Sequence, residues 1–297
     1  MNVKIATAPC AWGVWYADGT PSKTPWELFL DQAQNAGYKA LELGPDGYLP
    51  TDLGKLKEEL SKRDLSVCAG TVCYAFDQYN KFADFKDKID DLCKRLTALD
   101  AKYLVTMDES NVGDLSQNKI GYTANDYKKY LDMFNDLGKY TKDSYGIEVV
   151  YHPHAVSIIE TEQEIKDLMN YTGLNLAFDT GHHACVNGVP EMNEKSAINF
   201  MKQYAEKIKY LHFKNVNLDV HKKVNAEKLG INWGFDNDLM CDLKDGTINF
   251  ENLCDVLREM NYDGIAVIEQ DMPKADNAYA YAAAKRNLEY LKSIKMI

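Results

Sequence analysis

Cys-x-x-Cys pairs are missing from this 297-residue sequence, whose seven cysteines are scattered along the chain. A disulfide framework and a thiolate zinc site are therefore both disfavoured, and reduced thiols in a cytoplasmic protein are expected. Apolar runs of the roughly 18–20 residues that a membrane span needs are also missing. The first residues contain no long apolar leader either. These absences argue against a disulfide-rich secreted domain, and no membrane partner is predicted.

Clusters of basic residues are missing too, and the formal net charge is −11 with an isoelectric point near 5.1. An acidic surface repels phosphate backbones, so no nucleic-acid partner is expected. No Gly-x-Gly-x-x-Gly segment follows the first apolar run, which argues against a nucleotide cofactor. No linker rich in proline, glycine and serine divides the chain, so residues 1–297 are predicted to form one domain.

What the sequence does contain is one repeated unit, a short apolar run followed by an amphipathic helix. The eight runs cover residues 3–8, 39–43, 65–69, 102–106, 147–151, 174–178, 208–213 and 265–268. Near-continuous apolar strands that alternate with helices indicate a parallel sheet. Eight such units predict a single-domain (β/α)₈ TIM barrel, an α/β fold. The long loop 215–247, after the seventh run, is predicted to be a lid or a subunit contact, as in a homo-oligomer.

Polar residues gather where the apolar runs end, which is the face on which barrels of this kind carry their chemistry. The set comprises Trp12, Glu42, Thr71, Asp108, Glu109, His152, His154, Glu160, Asp179, His182, His183, His212, Lys214, Glu269 and Asp271. Five of the six histidines belong to it, and only His221 does not. Random placement would scatter the histidines over helices and solvent loops, so this distribution indicates a functional site.

Taken singly, each of these residues also has an ordinary structural interpretation. Asp179 is typical of a helix cap, His212 of a hydrogen-bonded core histidine, and Glu269 of a salt bridge to Lys214. Together they are harder to explain, because burying carboxylates side by side costs several kcal/mol per ion unless a positive charge lies between them. Three carboxylates with one imidazole predict one divalent metal ion. Mn²⁺ is favoured, while Mg²⁺, Co²⁺ and Zn²⁺ also suit the ligands.

Six segments, in this order, resemble the xylose-isomerase-like TIM-barrel superfamily of sugar phosphate isomerases and epimerases. The segments cover residues 8–13, 36–44, 151–154, 178–182, 211–215 and 267–271. They look most like the inosose dehydratase branch, and the similarity extends over essentially the whole chain. The resemblance implies that the metal is held by Glu160, Asp179, His212 and Glu269, with His152 as the alternative to Glu160.

The resemblance also implies substrate contacts from His182, three residues after Asp179, and from Lys214, two residues after His212. Trp12 and Glu42, from the ends of the first two units, are expected to contact the substrate as well. The substrate is expected to be a small sugar or cyclitol.

The step common to the superfamily is removal of a proton from a carbon beside a carbonyl group. A metal ion polarises the carbonyl, and a carboxylate or imidazole base contributes typically about 10²–10⁴-fold. Glu160 and Glu269 on two sides of the substrate would suit isomerisation or epimerisation, which is the function expected for this enzyme. The alternative is a dehydratase or lyase acting on a keto-inositol or a 3-keto-glycoside, with His152 or His154 as the acid.

Three remoter alternatives belong to other classes. A nuclease similar to the AP endonucleases of the same superfamily would need a basic groove, which the charge of −11 disfavours. A glycosidase with paired carboxylates would work without a metal. A non-catalytic sugar-binding barrel would have no enzymatic activity for a substitution to abolish.

Overall fold

Eight parallel strands close into a barrel. The computed structural model describes residues 1–110, 123–188 and 194–297, with all side chains except those of 194–196. The barrel strands are β1 Asn2–Thr7, β2 Ala40–Glu42, β3 Ser66–Tyr74, β4 Tyr103–Asp108, β5 Glu148–Tyr151, β6 Asn175–Asp179, β7 Ile208–Phe213 and β10 Asp263–Ile268. Neighbouring strands pair in the order β1-β10-β7-β6-β5-β4-β3-β2. The predicted (β/α)₈ fold is confirmed.

Helices follow the strands along the chain. They are α1 Trp26–Ala36, α2 Leu53–Ser61, α3 Lys86–Ala98, α4 Ala124–Tyr145, α5 Glu162–Thr172, α6 Thr180–Asn187, α7 Glu194–Gln203, α8 Leu218–Glu227, α9 Ile231–Phe235, α10 Phe250–Glu259 and α11 Asn277–Ser293. Helix α5 begins at a capping box in which Thr161 and Glu164 satisfy each other's backbone N–H groups, and it ends at Gly173 with φ 73°. Such signals set the helix ends locally.

Alternation along the strands decides which side chains enter the barrel. The interior is filled by Ala6, Ala8, Cys68, Ala69, Val105, Val150, Ala177, Tyr210 and Val267. Because side chains two residues apart share a face, the residue two positions beyond an interior residue points into the barrel mouth. By this rule the residues that point into the mouth are His152 after Val150, Asp179 after Ala177, His212 after Tyr210, and Glu269 after Val267. Ordinary strand geometry therefore brings these four side chains together in the barrel mouth.

The segment after β7 has secondary structure of its own. Strands β8 Asn215–Val216 and β9 Met240–Cys241 pair in antiparallel fashion, and helices α8 and α9 lie between them. Its role as a lid stays a prediction. No helix in the described ranges combines the length and apolar character needed to cross a membrane.

Candidate active site

His212 lies at the centre of a cluster of charged side chains in the barrel mouth. Its Nε2 is 2.9 Å from Glu42 Oε1, and its Nδ1 is 3.1 Å from Glu269 Oε2 and 3.8 Å from Asp179 Oδ2. Burial alone would lower the pKa of His212, but the charges of Glu269 and Glu42 outweigh it and raise that pKa to about 10.

Lys214 adds a second cation to this cluster. Its Nζ lies 3.0 Å from Glu269 Oε2, 3.0 Å from Asp271 Oδ2 and 3.4 Å from Asp179 Oδ2. Burial disfavours the ammonium, but these carboxylates outweigh burial and raise the pKa of Lys214 well above its usual value. Burial likewise opposes ionisation of Glu269, yet His212 and Lys214 hold its pKa well below the ordinary value.

We call these six residues the mouth cluster. It consists of Glu42, Asp179, His212, Lys214, Glu269 and Asp271, all of them buried. Its four carboxylates outnumber its two cations, so negative charge remains in excess within the described part of the site. A divalent cation would compensate that excess.

Unpartnered buried atoms test whether the residues present fit a metal ion. Within the described residues, His152 Nε2, Asp179 Oδ2 and His212 Nδ1 make no hydrogen bond of normal geometry, although each is shielded from solvent. The last two have only the ion-pair contacts given above. These three residues offer ligand atoms that all lie within 4.8 Å of one another, as do Glu42, His212 and Glu269. Buried nitrogen and oxygen atoms normally have partners, and a metal ion supplies one. The residues therefore fit a divalent metal.

The tautomer of His152 suits this role. Its Nδ1 faces the carbonyl oxygen of Ala177 at 3.3 Å, so Nδ1 carries the hydrogen and Nε2 keeps its lone pair. Burial, followed by the charges of His212 and Lys214, holds the pKa of His152 well below its ordinary value. A neutral imidazole with a free lone pair is the form that binds metals.

Asp179 serves two purposes at once. Its Oδ1 accepts a hydrogen bond from the backbone N–H of His182 at 2.7 Å and so caps helix α6. Its Oδ2 points into the mouth cluster. The helix-cap interpretation and the site interpretation of this residue are therefore both compatible with the structure.

Glu160 is not brought to the other predicted ligands. Its side chain is 3% exposed, and its Oε2 accepts a hydrogen bond from the backbone N–H of Val156 at 2.6 Å. It is absent from the groups of neighbouring ligand atoms that the described residues form. Of the two predicted alternatives for the ligand from the fifth strand, His152 is the one with a ligand atom within 4.8 Å of those of Asp179 and His212.

Three imidazoles lie beside the mouth cluster, and we call them the imidazole group: His152, His154 and His182. The ring centroids of His154 and His182 are 3.9 Å apart, and His182 Nε2 is 3.0 Å from Lys214 Nζ. His154 Nδ1 faces Ala155 O at 2.9 Å, which leaves the lone pair on Nε2. Burial, then the charge of Lys214, lowers the pKa of His154 to about 4, so this ring is neutral at pH 7.

Trp12, which is expected to contact the substrate, is fully buried and contacts helix α1. The indole N–H is donated to Gln32 at 2.7 Å, and the ring packs edge-to-face against Phe29, both on α1. Aromatic residues near the imidazole group are instead Phe235, with its centroid 6.3 Å from that of His182, and Trp15, 6.0 Å from Phe235.

Asp271 belongs to the polar set at the predicted strand ends without a specific predicted role, whereas Phe235 lies outside that set. Asp271 follows Glu269 by two positions, so strand alternation could have placed it in the mouth. Phe235 lies on α9 of the long segment after β7, and no periodic signal points it toward His182.

Residues 30–294 match the family model described as xylose isomerase-like TIM barrel. The chain belongs to this family. It is 26% identical over 301 residues to an inosose dehydratase of Clostridium perfringens, with 98% of this chain and 97% of the relative covered. The predicted resemblance is thereby confirmed.

Solved structures with this fold include the IolI protein with a bound zinc atom, at a TM-score of 0.71, 16% identity and 98% coverage of both chains. They also include the 3-keto-D-glucoside 4-epimerase of E. coli, at a TM-score of 0.67 and 16% identity, with 98% of this chain and 100% of that chain covered. At this level of identity the two likenesses establish the fold.

Proposed function

We propose that the protein is a metal-dependent dehydratase that removes a proton beside the carbonyl of a keto-cyclitol or keto-sugar and then expels a β-hydroxyl as water. The observation that carries this proposal is the position of the neutral imidazoles His154 and His182 beside a buried, negatively charged ligand set. The similarity to inosose dehydratases over nearly the full length of both chains supports the substrate class.

Asp179, His212, Glu269 and His152 would hold the metal. When bound, a divalent ion would supply a Lewis acid that polarises the carbonyl group and stabilises the negative charge that develops on its oxygen. Two imidazoles with two carboxylates form a mixed nitrogen and oxygen set, which suits Mn²⁺, Co²⁺ or Zn²⁺ better than Mg²⁺. The zinc atom of the IolI structure supports an ion of this kind.

The protein's own side chains would carry the proton. His154 Nε2 has a free lone pair and its side chain is partly exposed, so it can take the proton from carbon. The imidazolium formed in this way then gives the proton to the leaving hydroxyl. The carbon–hydrogen and carbon–oxygen bonds break, a carbon–carbon double bond forms, and one water leaves. Lys214 and His182 would donate hydrogen bonds to substrate oxygens.

Isomerisation or epimerisation is the second candidate. It begins with the same proton removal, and a solved structure with this fold is a 3-keto-D-glucoside 4-epimerase. Epimerisation by a carboxylate on each face would require Glu160 opposite Glu269, whereas Glu160 Oε2 accepts a hydrogen bond from Val156 N. The geometry therefore supports elimination better.

Metal analysis and isotope exchange test the proposal. Purified protein should contain about one equivalent of a divalent metal, and Asp179→Asn should lose it. The wild type should then exchange a substrate proton in D₂O with a panel of keto-inositols, 3-keto-glycosides and ketoses, and should convert at least one to a dehydrated product. Exchange that yields an epimer without loss of water would support the second candidate. Activity that survives complete chelation would contradict both candidates and favour a metal-free glycosidase.

A further inference from the structure

We propose that Glu42 is a positioning residue that fixes the tautomer and orientation of His212 for metal binding. This inference rests on the proposed metal site, and it gives Glu42 a role different from the substrate contact expected from the sequence. Glu42 Oε1 lies 2.9 Å from His212 Nε2, and the two side chains are 2% and 0% exposed. A hydrogen bond this short between two fully buried groups has no competition from water.

The proposed bond determines which nitrogen of His212 faces the metal. A carboxylate oxygen accepts, so Nε2 must carry the hydrogen when it bonds to Glu42. The lone pair of a neutral ring is then on Nδ1, the nitrogen that faces Glu269 Oε2 at 3.1 Å and Asp179 Oδ2 at 3.8 Å. Metal-binding histidines commonly donate their other N–H to a carboxylate, which orients the ring and raises its basicity as a ligand.

The fold delivers Glu42 to this position by a local irregularity. Strand β2 has three residues, and its register against β3 shifts between Leu41, which pairs with Val67, and Glu42, which pairs with Ala69. Such a bulge re-aims a side chain. Glu42 then reaches a histidine that belongs to β7, a strand that is not its neighbour in the barrel.

Thr71 holds the second carboxylate oxygen of Glu42. Its Oγ1 donates a hydrogen bond to Glu42 Oε2 at 3.1 Å, from the neighbouring strand β3. With one oxygen bonded to Thr71 and the other to His212, the carboxylate is held in one orientation. This arrangement suits support of a ligand better than direct recognition of a substrate.

Metal affinity measures this role without reference to activity. The full-length protein, freed of metal with a chelator, would be titrated with Co²⁺ and followed by visible absorption. Glu42→Gln keeps an acceptor oxygen but removes the charge, and it should weaken binding roughly 10- to 100-fold. Thr71→Val should weaken it by less, because Glu42 keeps its charge. Glu148→Gln removes a carboxylate from the start of β5, at the opposite end of the barrel, and should bind like the wild type.

Two results would overturn the inference, and they differ in what they leave standing. Wild-type protein that binds no Co²⁺ at millimolar concentration contradicts the proposed function and this inference together. Wild-type binding that both Glu42→Gln and Thr71→Val retain within about twofold contradicts this inference alone. Thermal unfolding of the metal-free variants distinguishes a positioning role from a merely structural one. A merely structural role would lower the melting temperature but leave the affinity for Co²⁺ unchanged. Thr71→Val decides the question on its own if Glu42→Gln does not fold.

Discussion

Lys214 and Glu269 form a buried ion pair, with Nζ 3.0 Å from Oε2, in the mouth of the barrel. This pair is the ordinary structural interpretation of Glu269, as an alternative to a metal site. The structure shows that the pair exists but does not balance the charge, because Asp179 and Asp271 lie within 3.4 Å and 3.0 Å of the same ammonium. A salt bridge and a metal site are therefore compatible here.

Replacement of Lys214 by methionine should destabilise the metal-free protein by about 3–5 kcal/mol, because carboxylates that it contacts would lose a buried counter-charge. Added Zn²⁺ should stabilise the variant more than the wild type, since a bound ion would supply the missing positive charge. Urea unfolding with and without Zn²⁺ measures both effects. Lys209→Met, on the exposed face of the same strand, is the control and should change stability little. A Lys214→Met protein as stable as the wild type would contradict the prediction.

The fold could be predicted because each unit buries an apolar strand against a helix, and that pattern is local. Boundaries were less predictable. The apolar run that predicts the third strand ends at residue 69, whereas β3 continues to Tyr74 and pairs from Ala69 with Tyr103 through Tyr74 with Asp108. Its second half includes the less apolar Gly70 and Thr71, so hydrogen bonding to β4 rather than hydrophobicity extends it.

Strand ends were predictable sites, and loops were not. Asp179, His212 and Glu269 follow interior residues at the two-residue period, so the sequence places them on one face. Glu160 lies in a loop whose course depends on Val156, a β-branched residue at φ 65°. Valine rarely adopts this left-handed conformation, and no sequence pattern predicts it here. The turn brings the N–H of Val156 to Oε2 of Glu160, and this contact could not be predicted from the sequence.

From the burial of His183 we predict that the folded protein loses stability in acid. Its ring is buried between Phe178 and Phe200, with centroids 5.0 Å and 5.2 Å away, and its Nε2 lies 3.3 Å from Glu162 Oε1 without hydrogen-bond geometry. Burial, only partly offset by Glu162, lowers the pKa of His183 below the usual 6.5. The unfolded chain therefore binds a proton that the folded chain does not, and stability falls as the pH drops below about 6.5.

Replacement of His183 by phenylalanine should reduce that pH dependence by up to one proton, or about 1.4 kcal/mol per pH unit. Urea unfolding of the wild type and the variant between pH 8 and pH 5 tests this. The free energy of unfolding of the variant should increase relative to that of the wild type as the pH falls below about 6.5. Parallel curves over the whole range would show that His183 is protonated equally in both states.

From the position of Phe235 we predict that the segment after β7 contributes to substrate binding. Its ring lies 6.0 Å from Trp15 and 6.3 Å from His182, so it places an apolar surface beside the imidazole group. Phe235→Ala should raise KM several-fold and change kcat less, because the ring would pack against the carbon face of a sugar or cyclitol without touching the reacting atoms. Trp233→Ala, on the same helix but beside Lys223, is the control. Equal effects of the two changes would argue against a lid role.

His154 gives the sharpest test of the proposed proton transfer. With its hydrogen on Nδ1, bonded to Ala155 O, it has a lone pair on Nε2 for the substrate proton. His154→Gln should lower kcat by about 10²–10⁴-fold while metal content stays unchanged, because the proposed ligands do not include His154. His221→Gln is the matched control, since His221 is buried away from the mouth cluster against Cys185 O. If His154→Gln also lost the metal, His154 would be a ligand, and the base would have to be sought elsewhere in the imidazole group.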